Sequence, residues 1–193
     1  MTQGKPVSGW IGDEDRELTF AAVGRGITRW EAVELAFANL YALFTTNSLS
    51  LDKVREFGAQ NRIFANRLVA LKRASAPFFR SRPCQEAEGG FASLCNRAQV
   101  MAETRNAIAH GIVGQVTYLT EYGTWPPEYV DGPSLWMLQT PWYARDSPNT
   151  IKQEGMGSKE ILIATEPFKA LAFDIDEYVL QTLPLVTPHE LMK

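Results

Sequence analysis

Pro126, Pro127, Pro133, Pro141 and Pro148 exclude long helices from 115–164. Proline has no amide donor, and its ring clashes with the preceding helical turn. The segments 116–122, 135–140 and 160–164 have the short apolar and β-branched texture of strands. On either side of this stretch, apolar residues recur at helical spacing. Thr28 and Glu31 form a capping box ahead of Val33, Phe37, Leu40, Tyr41 and Phe44, which predicts a helix over 28–46. Asn47 and Ser48 break it. A second helical region runs from Ser50 to Ala74, before Pro77, and Gly58 can divide it. Pro83, Gly89 and Gly90 mark 81–90 as a loop. A third long helix spans 91–112, with Gly111 and Gly114 as stop signals. Thr165, Glu166 and Pro167 open a last helix that ends before Pro184. Residues 1–26 show no clear period, apart from a short helix around 15–22.

The expected fold is mainly α: a bundle of three or four long helices over 28–112 and 166–183, with a small β-rich insertion at 115–164 before the last helix. A length of 193 residues suits a single domain, 1–193, with a full core. No apolar run approaches the ~20 residues that a membrane span requires, so no membrane association is expected. Residues 1–6 carry no apolar segment behind their charge, so no secretory signal is expected. Cys84 and Cys95 make neither a disulfide framework nor a Cys-x-x-Cys pair. A reducing, cytoplasmic setting is the simplest expectation.

The net charge of −3 argues against wrapping duplex nucleic acid by bulk charge. The charge is unevenly spread. Residues 53–82 hold eight bases (Lys53, Arg55, Arg62, Arg67, Lys72, Arg73, Arg80, Arg82) and one acid, Glu56. Taken alone, this band is best explained as a solvated helix face.

The third helix carries the distinctive chemistry. On a helical wheel, Leu94, Ala98, Met101, Ile108 and Ile112 form an apolar stripe. Arg105 falls in the middle of it. Gln99, Glu103, Asn106 and His110 form a neighbouring polar stripe. A guanidinium stays charged and has five donors, so it is not buried without a partner. Arg105 therefore has two open assignments. One is an internal ion pair with Glu31, Glu34, Asp174 or Asp176. The other is an anion site at a cleft or subunit seam. His110, in the last turn, can serve structurally by capping free carbonyls.

Arg105-Asn106-x-x-x-His110, late in an apolar helix and followed by Gly111, resembles the Arg-x4–6-His motif of the HEPN superfamily (higher eukaryotes and prokaryotes nucleotide-binding). The resemblance implies a four- or five-helix bundle that dimerises to bring two motifs into one cleft. It implies a metal-independent endoribonuclease, although many members are non-catalytic binding modules. Toxin–antitoxin and defence systems are common settings, so an antitoxin protein is a further implied partner. His110 would be the general acid or base. Arg105 would hold the scissile phosphate, and Asn106 would orient the phosphate or the imidazole. The nucleophile would be the 2′-hydroxyl of the RNA itself. With two histidines and no metal-ligand cluster, neither metal nor cofactor is expected.

Other signals carry less. Gly24-Arg25-Gly26 lacks the third glycine and the preceding strand of a dinucleotide fingerprint. Gly155-Met156-Gly157-Ser158-Lys159 has the composition of a turn. The aromatic residues Tyr118, Tyr122, Trp125, Tyr129, Trp136, Trp142 and Tyr143 can stack on bases, but they more simply pack a small sheet.

Overall fold

The computed structural model describes residues 11–60, 63–122, 128–140 and 155–185, with the backbone alone at 60, 118–122 and 128–132. The elements are α1 (Arg16–Thr46), α2 (Leu51–Gln60), α3 (Phe64–Ser81), α4 (Gln85–His110), β1 (Ile112–Tyr122), β2 (Glu128–Gln139), β3 (Gly155–Met156) and α5 (Ser158–Thr182), followed by a 3-10 turn, Leu183–Leu185. The protein is mainly helical, with a small three-stranded sheet before the last helix. By internal contacts it divides into two compact units, Thr28–Arg105 with Thr165–Lys193, and Met1–Ile27 with Asn106–Ala164.

The first unit is the helical bundle. α1 begins well before the expected capping box at Thr28. The cap sits at Asp15, whose carboxylate accepts the Glu17 amide at 2.9 Å. α1 ends where Asn47 turns left-handed (φ 57) and its amide closes on the Leu43 carbonyl at 2.8 Å. α3 continues through Pro77 to Ser81 instead of stopping near Ala74. The missing amide costs one helical bond. Burying Phe78 and Phe79, the next two residues, offsets it, since both pack against Phe44, at 5.0 and 5.5 Å between ring centroids. The loop expected over 81–90 shrinks to 82–84, and α4 starts at Gln85. Gly90 is helical because it packs close to the Tyr178 ring, where an added Cβ would stand 3.2 Å away.

The bundle core is one aromatic-rich cluster. Trp30 is fully buried, with Phe64 and Phe168 edge-on at 4.8 and 5.2 Å. Val33, Phe37, Leu40 and Leu43 of α1 are also fully buried. Each such side chain contributes about 1.5–3 kcal/mol.

The second unit contains the sheet, in the order β1-β2-β3, antiparallel throughout. β1 and β2 pair from Ile112↔Gln139 to Tyr122↔Glu128, with a register shift between Thr117 and Leu119. Pro133 falls opposite that irregularity, outside the paired residues, where a missing amide costs no ladder bond. The strand expected over 160–164 is instead the first turns of α5, and the glycine-rich turn at 155–159 is the β3–α5 corner. The cause lies far away in sequence. Asp13 accepts the Ser158 amide at 2.7 Å, the Ser158 hydroxyl at 2.7 Å and the Thr19 hydroxyl at 2.6 Å. That carboxylate caps α5 seven residues before the expected start. Pro167 is therefore inside the helix. Among the described residues, this unit's apolar cluster is small: Ala22, Ile108, Leu138 and Ile161, with Leu135 and Met137 also buried.

Candidate functional site

All three motif residues lie on α4, an unbroken helix of 26 residues. Its first turn holds Glu86 and Glu88, and its last holds His110, which matches the polarity of the helix dipole. The boundary between the compact units falls between Arg105 and Asn106, so the two parts are taken in turn.

Within the bundle, Leu94, Cys95 and Ala98 turn the α4 stripe inward. Arg105 follows on the same stripe and is half-buried, with its side chain 27% exposed. Of the four acids considered as partners, Glu34 is the one it meets, at 3.8 Å through Nη2. Glu31 is exposed, and Asp174 pairs with Arg97 at 2.7 Å. The Glu34 side chain is only 7% exposed and is shared. One oxygen accepts the Trp30 indole N–H at 2.6 Å. The other accepts Arg67 of α3. A buried carboxylate needs this many donors to offset its lost hydration. The part played by Arg67 was missed from sequence, although Arg67 sits three residues after Phe64 and one before Leu68 on the inward face of α3.

In the second unit, Ile108 is buried while Asn106 and His110 are exposed. Being four residues apart, they share a face. The polar stripe is exposed at each of its four positions: Gln99, Glu103, Asn106 and His110. The helix stops at His110 and not at 112. Gly111 follows without a left-handed turn, and only glycine fits there, because a Cβ would stand 2.5 Å from Leu138. Ile112 leaves the apolar stripe, starts β1 and is half exposed.

The remaining candidates sort by environment. Burial pushes the Cys95 thiol up to about 11, so Cys95 stays protonated and inert as a nucleophile. The Tyr178 phenol is pushed up to about 12, chiefly by burial, and donates to the Ala87 carbonyl at 2.7 Å. Gly24 and Gly26 lie inside α1 and form no phosphate loop. Among the described residues, no group of three or more His, Cys, Asp or Glu side chains could hold a metal ion, and no helix is long and apolar enough to cross a membrane. Of the aromatic set, Trp136 is half-buried, and its backbone bridges to Asp13. Trp125, Trp142 and Tyr143 lie outside the described residues, as does Arg62 of the basic band.

The chain matches no family model, no curated protein and no solved structure.

Proposed function

We propose that this protein is a metal-independent endoribonuclease of the HEPN kind, working from Arg105, Asn106 and His110. The observation that carries this reading is the exposure of Asn106 and His110 on one face of the α4 terminus, directly after a half-buried arginine 3.8 Å from Glu34. An exposed imidazole can exchange protons with a substrate. In the reaction, the RNA 2′-oxygen bonds to phosphorus and the bond from phosphorus to O5′ breaks. The 2′-hydroxyl loses a proton and O5′ gains one, and His110 performs one of these transfers. Arg105 pairs with the phosphate as negative charge grows on it. The products are a 2′,3′-cyclic phosphate and a 5′-hydroxyl. The working species in this reading is a homodimer in the cytoplasm, with an antitoxin protein as its controlling partner.

The test is RNA cleavage in EDTA by wild type, His110→Ala, Arg105→Ala and Arg105→Lys, each checked for folding by circular dichroism. His110→Ala is expected to lose at least ~10²-fold in rate. Arg105→Lys keeps the charge but not the planar fork, so a similar loss in that variant assigns the guanidinium to the phosphate. Cleavage retained by folded His110→Ala would overturn the proposal. A second reading rests on the Arg105–Glu34 contact at 3.8 Å. In it, Arg105 is a structural ion-pair partner and the protein is a non-catalytic module that binds a nucleotide or a protein. No cleavage of total or transfer RNA by the wild type favours that reading.

A further inference from the structure

We infer that the outer face of α3 is a docking surface for the backbone of single-stranded RNA. The choice of RNA rests on the ribonuclease reading; the surface itself rests on charge and placement. α3 carries Arg67, Lys72, Arg73 and Arg80 and no acidic residue. Arg67 turns inward to Glu34. The others lie with Val69 and Ala76 on one exposed stripe, because positions 69, 72, 73, 76 and 80 share a helix face. Lys72 to Arg80 spans about 12 Å along the axis.

A merely solvated face usually mixes acids with its bases. α2 does so, with Arg55 on Asp52 at 3.8 Å and Lys53 on Glu56 at 2.6 Å. Elsewhere Arg16, Arg29, Arg97 and Lys169 also have carboxylate partners. Among the described residues, no ion pair engages Lys72, Arg73 or Arg80. Three uncompensated cations on one helix face, in a chain of net charge −3, make a local anion-attracting field.

Two grooves flank these cations. Arg73 lines one of about 540 Å³ with Thr45, Asn66 and Val69. Arg80 lines the other, of about 520 Å³, with Phe79, Pro83, Phe91 and one carboxylate, Glu88. Both volumes fall in the range of small-ligand clefts, about 300–1,000 Å³. Phosphates on the cations place unpaired bases beside these grooves. A duplex keeps its bases stacked and presents about one charge per 1.7 Å, which calls for a wider basic field than three side chains provide. Single strands splay their bases and follow a narrow stripe.

The test uses a 2′-O-methyl oligonucleotide, whose blocked 2′-oxygen cannot be the nucleophile, so that binding is read without cleavage. Fluorescence anisotropy is followed against salt for wild type, the triple variant Lys72→Ala/Arg73→Ala/Arg80→Ala, and a control of equal charge loss, Arg16→Ala/Lys159→Ala/Lys169→Ala. The α3 variant is expected to bind at least ~10-fold more weakly, with the log–log salt slope reduced by about 2. The control should bind as wild type does. Equal weakening by the control, unchanged binding by the α3 variant, or tighter binding of wild type to an acidic peptide of the same charge would each overturn the docking surface. Binding that depends on α3, with no cleavage of unmodified RNA, would reject the enzyme and keep the surface.

Discussion

Trp30 and Asp13 are anchors of opposite kinds. Trp30 sits in the bundle among Phe64, Phe168 and the α1 stripe, fully buried. Asp13 sits in the sheet-bearing unit and acts through three hydrogen bonds, to Thr19 and twice to Ser158. The bundle has an extended apolar cluster. Among the described residues, the other unit has a smaller apolar cluster around Ala22, Ile108, Leu138 and Ile161 and is fixed by a charged cap and by glycines packed against Leu135, Met137 and Leu138. The bundle buries surface; the smaller unit satisfies a helix end. The difference shows where each tolerates change. The bundle is sensitive to lost volume, and the smaller unit to a lost donor or acceptor, or to an added methyl group.

The largest expected effect is in the bundle. Trp30→Ala removes its central ring and one donor to Glu34, and should destabilise by about 3–5 kcal/mol, read as a drop in the urea midpoint. In the smaller unit, Asp13→Ala should cost about 1–2 kcal/mol, the range for a lost helix cap. Hydrogen exchange should accelerate at the first α5 amides, beginning with Ser158, and stay unchanged around Leu40 and Leu71. If Asp13→Ala matched Trp30→Ala in cost, or loosened Leu40, the contrast between the two anchors would collapse.

The smallest effect tests how the bundle treats charge. Asp176 lies on the exposed side of α5, and partial desolvation there raises its carboxyl above the ordinary 3.8. The folded state then holds that proton more tightly than the unfolded state does, so stability is lost as pH rises from 3.8 through the folded value. Asp176→Asn has no such loss. It should be slightly more stable than wild type at neutral pH and equal to it well below pH 3.8. A variant less stable at neutral pH would mean that this carboxylate supports the bundle as Asp13 supports its neighbour.

The parts legible in sequence were those set by local periodicity. The stripes of 33–44 and 168–183 read directly as helices, and the proline-rich stretch read as the place for strands. The errors share one origin, since each depended on a distant partner. The turns 160–164 looked like a strand because the cap that makes them helical is Asp13. Gly90 looked like part of a loop because Tyr178 was not in view. Pro77 looked like a stop because nothing local shows Phe78 and Phe79 meeting Phe44. At the candidate site, the exposure of Asn106 and His110 followed from helical spacing alone. The rule that a buried guanidinium needs an acid narrowed the partner of Arg105 to four residues. Choosing Glu34, and finding that Arg67 shares it, required the approach of α1 and α3.

The Asp13 cap also orders events in time. Residue 158 leaves the ribosome 145 residues after residue 13, and the bridge from Asp13 to Trp136 also closes late. Contacts this far apart in sequence carry a high closure cost and form slowly. During synthesis α2 and α3 emerge soon after the α1 residues they meet, as Glu56 does after Tyr41 and Phe78 after Phe44, while the segment before α1 waits for residue 158. A ribosome stalled before 158 would hold a nascent chain whose N-terminal cap has nothing to close on, a state that a protease added during translation would detect by cutting near Asp13.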